Sequence, residues 1–145
     1  MRASDIAAVV GVISPVSQGV GSVSSGWIPV KDFYRFQAIV LAGVLGAAAT
    51  LDAKFQQATD AAGTGVKDFA PAKNAAQLVK ATDDNKQAVL NLRADEVDKD
   101  NLFNHVRLTL TVAAAASLAG AVIIGVSPDY GAASDYDAAS VKDIA

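Results

Sequence analysis

His105 is the only histidine of the chain, and there is no cysteine. Any catalytic imidazole, triad or metal centre would therefore have to be built around this one side chain. It opens the octet His105–Val112 (HVRLTLTV) on the same parity as Arg107, Thr109 and Thr111, which predicts a solvent-facing or interface residue rather than a general base. A second candidate is the acidic group Asp95, Glu96, Asp98 and Asp100. Hard cations take several carboxylate oxygens, but a calcium loop of the EF-hand kind needs a glycine at its sixth position and a bidentate Glu beyond, and this segment has neither. It reads as a solvated acidic turn that caps the following segment. Gly63, Thr64 and Gly65, followed by Lys67, superficially resemble a phosphate loop without its Gly-Lys-Ser/Thr ending or the helix after it. Ser22, Ser24 and Ser25 have no nucleophile-elbow context. The expectation is a protein that is not an enzyme, with no catalytic, cofactor-binding or metal-binding residue and no cofactor.

The elements that would position these residues are strands. In the octet, Val106, Leu108, Leu110 and Val112 alternate with the polar residues, which gives one apolar and one polar face. That period of two decides how to read the run from Leu108 to Pro128, which holds no charged residue and is long enough to span a bilayer. A membrane helix has no use for such alternation. The run instead predicts a buried β-hairpin, with a loose connection at 113–117 and a second strand ending in Ala121–Val126. Phe33 to Val44 is the first long strand candidate, and its run Phe36–Ala42 is apolar on both parities, which fits a central strand covered on both sides or a short buried helix. Thr50 to Gln57, Ala75 to Ala81 and Lys86 to Arg93 are further strand candidates. The stretch at 58–65 reads as a loop with positive-φ positions, and 83–85 as a turn.

The 145 residues are 52% hydrophobic but only 6% aromatic, with a net charge of −3. One domain with a thin, alanine-rich core follows. The twelve Lys and Arg are scattered, so no concentrated basic face exists for nucleic acid. Gln18 to Gly26 is rich in Gly and Ser, and residues 1–26 read as a flexible N-terminal arm rather than a signal peptide. Residues 27–126 form the sandwich domain and 127–145 a polar C-terminal tail that lies across a surface. The fold class predicted is all-β: an antiparallel β-sandwich or jelly-roll-like flattened barrel with extended N- and C-terminal arms. Its core is assigned to Phe36, Ile39, Leu41, Phe55, Leu90, Leu92, Val106, Leu108, Leu110, Ile123 and Ile124.

Three segments, Trp27–Tyr34 (WIPVKDFY), Gln56–Lys67 (QQATDAAGTGVK) and Ala94–Leu108 (ADEVDKDNLFNHVRL), in this order resemble a group of small structural virion proteins of tailed bacteriophages. The resemblance covers roughly residues 27–126. At 112–120 the chain departs from the pattern, with Ala-Ala-Ala-Ala-Ser where a Gly/Asn turn is expected. The resemblance implies a β-rich, non-enzymatic head decoration or cement protein located in the virion capsid after assembly in the bacterial host cytoplasm. Its partners would be the major capsid protein and copies of itself as a homo-oligomer, with neither nucleic acid nor membrane. The contacts are expected in the 1–26 arm and the tail, so that removing residues 1–20 would leave a folded domain unable to bind. The alternative within the virion is a tail or neck component: a tail-tube, terminator or head-completion ring protein. A carbohydrate- or cell-binding sandwich would expose an aromatic patch, and one Trp and three Tyr give it little support.

Overall fold

A computed structural model describes residues Met1–Ala145. Its strands are β1 Ala7–Gln18, β2 Gly21–Ser24, β3 Ile28–Pro29, β4 Phe33–Ala42, β5 Thr50–Ala58, β6 Lys67–Asp68, β7 Leu78–Val79, β8 Gln87–Arg93, β9 His105–Ala113 and β10 Ser117–Pro128. The only α-helix is a single turn, α1, at Lys80–Asp83. Sheet A has the order β1-β10-β4-β8 and sheet B the order β2-β9-β5-β6, with β3 also on β9 and β7 also on β5. Every pairing is antiparallel. With β2 counted, the chain passes from sheet A (β1) to B (β2), A (β4), B (β5), A (β8), B (β9) and A (β10), so it winds around one core as a jelly roll. The all-β class and the sandwich are as the alternation predicts.

The octet at 105–112 lies in the middle of sheet B, with Val106, Leu108, Leu110 and Val112 buried against sheet A. The strand after it is not its hairpin partner. β9 pairs with β2, β3 and β5, whereas β10 pairs with β1 and β4, so residues 114–116 carry the chain from one sheet to the other. Alternation shows which face of a strand is buried but not which strand lies beside it. The crossing is fixed locally: Ser117 Oγ accepts the Gly46 N–H at 3.0 Å and donates to the Ala115 carbonyl. A Cβ at Gly46 would lie 2.4 Å from the Ala116 carbonyl oxygen, so the loop at 43–49 can pass here only with glycine.

The terminal arms need correction. Residues 1–26 are not a flexible arm outside the sandwich, because β1 pairs along sheet A and buries Ala8 and Ile13, while β2 joins sheet B. Two register irregularities, between Val9 and Gly11 and between Ile13 and Val16, break the period of two and hide the strand from a pattern search. Ser22 and Ser24, part of the apparent linker, bond across to the hydroxyls of Thr111 and Thr109 at 2.9 and 2.8 Å. The tail at 127–145 does lie across a surface. Ala138 N–H donates to the Val9 carbonyl, Val9 N–H donates to Asp137 Oδ1, and Tyr136 meets Phe33 edge-on at 5.5 Å.

Of the assigned core, Phe36, Phe55, Leu90, Leu92, Val106, Leu108, Leu110 and Ile123 are buried. Ile39, Leu41 and Ile124 are not; Leu41 is 49% exposed. Only one parity of β4 faces inward, namely Phe36, Ala38, Val40 and Ala42. Its double apolar pattern therefore does not mean cover on both faces. The core also takes Phe33, Leu45, Leu51 and Phe69. The strand expected at 75–81 shrinks to Leu78–Val79, because Asp83 Oδ2 accepts the Val79 N–H and starts α1 instead.

Candidate functional site

The three segments that carry the sequence resemblance lie far apart in the chain and pack together at one corner of the sandwich. Trp27 lies under the Arg107 guanidinium, 4.5 Å from ring centroid to Cζ. A Cβ at Gly63 would come within 2.5 Å of Trp27 Nε1, so the 58–65 loop closes over the indole through a glycine. That loop is built by Asp60, whose Oδ1 accepts the N–H groups of Ala62 and Thr64, with Gly63 and Gly65 both at positive φ as the sequence predicts. Lys67 sits 4.1 Å over the Phe103 ring and reaches Asp98 Oδ2 at 2.5 Å. Gln57 Oε1 accepts the Asp98 N–H, and the Ala58 carbonyl accepts the Asn104 N–H. Gln56 Oε1 gathers Arg107 Nε and Nη2 and the Thr109 hydroxyl at 3.0–3.2 Å.

The acidic turn is part of this corner, and its carboxylates diverge. Asp98 is held by Lys67 and by Asn101 Nδ2, interactions that lower its pKa. Glu96 is ion-paired with Lys73 and accepts the Arg93 N–H; burial opposes its charge, but these partners hold its pKa below the ordinary value. Asp95 pairs with Arg93. With Asp98 turned to Lys67, Glu96 to Lys73 and Asp95 to Arg93, the group does not converge on one point. A charge swap at Asp98 would break a local tie to Lys67, so Asp100, with no ion pair, is the cleaner position for probing a partner's basic patch.

His105 lies on the outward parity beside Arg107, with Nδ1 at 2.5 Å from Asn104 Oδ1. Burial lowers its pKa from 6.5, which outweighs the raising influence of Asp60, and Lys31 lowers it further. The unfolded chain therefore binds this proton more tightly than the folded one. Stability should fall as the pH drops from about 6.5 through the folded pKa, and the penalty should stay constant below it. Thermal midpoints measured from pH 8 to pH 5 should accordingly drop further in the wild type than in His105→Gln; parallel curves would refute the shift.

The two outer faces of the sandwich differ sharply. Sheet B is polar outside, with Asp52, Lys54 and Gln56 of β5 beside Arg107, Thr109 and Thr111 of β9. A cavity of about 330 Å³ is lined there by Asp52, Lys54, Asp68, Lys73, Thr109 and Thr111. Its charged groups already have partners: Lys54 pairs with Asp68 at 3.0 Å and Lys73 with Glu96, and Asp52 accepts a hydrogen bond from Gln77 at 2.9 Å. Sheet A is aliphatic outside. Val12, Val122, Ile39 and Val89 stand in register across all four strands, with Leu41, Leu118 and Ile124 on neighbouring rows. The only charged side chains on the outward parities of β4 and β8 are Arg35 and Arg93, paired at one end. No helix of the structure is long and apolar enough to cross a membrane. Sequence reasoning missed this face because it assigned Ile39, Leu41 and Ile124 to the core.

No protein-family model matches the sequence, and no curated protein matches it. Solved structures with a similar fold include a chain of a cowpea mosaic virus empty virus-like particle, at TM-score 0.47 and 8% identity over 92% of this chain and 86% of that one. The SPBc2 prophage-derived protein YomS is similar at TM-score 0.40 and 10% identity, over 77% and 90%. The CBM22-1–GH10 modules of a Clostridium thermocellum xylanase are similar at TM-score 0.47 and 9% identity, over 84% of this chain and 29% of that one.

Proposed function

We propose that the chain is a non-enzymatic structural protein of a bacteriophage virion, and specifically a capsid decoration or cement protein that stabilises the lattice of the major capsid protein. The observation that carries this reading is the corner formed by Trp27, the 58–65 loop, Lys67, Asp98 and Arg107. The segments whose wording resembles tailed-phage virion proteins are the ones that interlock there, so the resemblance rests on residues that depend on one another. The aliphatic outer face of sheet A supports it as well, since a protein that works by filling space between subunits needs apolar surface outside its own core.

A cement protein acts by binding free energy supplied only to the assembled shell, so many weak copies suffice. Cryo-electron microscopy of the purified protein mixed with expanded capsids that lack it tests the reading. A regular array of added density on the shell is the expected result. Free rings beside bare capsids would overturn it in favour of a tail or neck component.

A further inference from the structure

A jelly roll leaves four sheet edges, and three of them in this chain are blunted. β2 is four residues long, β6 and β7 are two each. β1 is long but carries two register irregularities and Pro15, and the tail occupies both polar groups of Val9 on its outer side. Short strands, bulges, proline and covering segments are the devices by which sheets avoid pairing with other chains. β8 has none of them. Gln87–Arg93 pairs without a register break to β4, contains no proline, has a single charge at its end, and is the last strand of sheet A.

The hydrogen-bond phase shows what the open edge offers. Ala42 N–H donates to the Lys86 carbonyl, which makes the even-numbered residues of β8 those bonded to β4. Gln87, Val89 and Asn91 therefore turn their N–H and C=O groups outward. Arg93 N–H, next in this series, is already satisfied by Glu96 at 3.1 Å, which ends the open stretch at a defined point. The same residues sit on the aliphatic outer face, where Val89 is 53% exposed and terminates the row Val12, Val122, Ile39, Val89.

We infer that β8 pairs antiparallel with β8 of a second copy of this chain, about a twofold axis through Val89, and joins two four-stranded sheets into one of eight. A second copy fits because this register is self-complementary. Val89 meets Val89 and continues the aliphatic row without a break from Val12 of one copy to Val12 of the other. Gln87 meets Asn91, amide against amide, extending the existing bond from Gln37 Nε2 to Asn91 Oδ1. In this register each Arg93 falls opposite Asn85 of the other copy, next to Asp84 in sequence, so the one charge of the strand meets a neutral amide and no charge of its own sign. The inference stands apart from the virion reading, because it concerns the free protein.

The test is the mass of the full chain in solution by light scattering across a concentration series. The expected mass is twice the 14.8 kDa of one chain. Asn91→Pro removes an outward N–H without touching the β4 ladder, and Val89→Lys sets two ammonium groups together on the axis. Each should halve the mass while far-UV circular dichroism stays unchanged. If the proline variant fails to fold, Val89→Lys decides alone. A single-chain mass for the wild type at every concentration, or a doubled mass that survives in folded Val89→Lys, would overturn the pairing.

Discussion

A chain lacking residues 1–20 should fail to fold, instead of yielding a trimmed sandwich that has merely lost its contacts. The deletion removes β1, and with it the side chains of Ala8 and Ile13 from the core and Val10 from its margin. It also strips the partner from β10 between Ser117 and Val126, exposing an uncharged strand edge rich in Ala, Val, Ile and Gly. Gln18, which donates to the carbonyls of Ser14 and Ala119 at 2.9 and 3.2 Å, is lost as well. Each large aliphatic side chain withdrawn contributes about 1.5–3 kcal/mol, and each ladder bond a further ~1 kcal/mol. Against a total stability of about 5–15 kcal/mol for a domain, the sum consumes most or all of it. The expected observation is loss of the near-ultraviolet circular dichroism of Trp27 and of any cooperative thermal transition, with aggregation through β10. A soluble fragment that melts cooperatively would show that β1 is dispensable. Removal of residues 1–5 is the control and should be tolerated, because none of them is buried.

The same segment shows where the sequence is legible and where it is not. β9 announces itself because apolar and polar residues alternate from His105 to Val112, and β5 does so from Thr50 to Gln56. β1 escapes because its two irregularities shift the phase within a single strand, so Val9, Val12 and Val16 no longer mark one face. β4 misleads in the opposite direction. Its outer residues Ile39 and Leu41 look like core because a hydrophobic side chain on an unpartnered sheet face obeys the same alphabet as one inside. Only the three-dimensional arrangement shows that nothing in this chain covers them. Topology is the least legible feature of all. The separation of β9 from β10 into different sheets depends on the crossing at Ser117 and Gly46, where a hydroxyl and a missing Cβ carry information that no periodicity contains. The Trp27 corner was visible only as wording in three segments, and its cation–π and ion-pair contacts required the fold to bring residues 27, 63, 67, 98, 103 and 107 together.

Phe33→Ala should be the most damaging single core substitution that leaves the chain able to fold. Phe33 opens β4, is buried, and pairs by register with Pro128 at the end of β10. Its ring meets Phe36 edge-on at 6.1 Å and Tyr136 at 5.5 Å, and it fills the space that Gly125 leaves open. A Cβ at Gly125 would stand 2.6 Å from Phe33 Cδ2, so the glycine in the inward series Ala121, Ile123, Gly125 is the seat of this ring. With the ring gone, the cavity has a glycine for one wall, and no neighbouring side chain on β10 can relax into it. The cost should be about 3–5 kcal/mol, the upper part of the range for aromatic truncation. A second effect should accompany it. Tyr136 loses the ring it packs on, and the tail is then held to β1 chiefly by the Asp137 and Ala138 bonds to Val9, so residues 129–145 should become accessible to protease before the sandwich unfolds. Urea denaturation and limited proteolysis of the same variant separate the two effects. Tyr136→Ala should free the tail with a much smaller loss of global stability, because Phe33 and Gly125 remain in place. A Phe33→Ala loss under about 1 kcal/mol, below the range for a buried aromatic, would mean that the ring is not seated on Gly125, and a tail still protected in that variant would mean that Tyr136 is held by something other than Phe33.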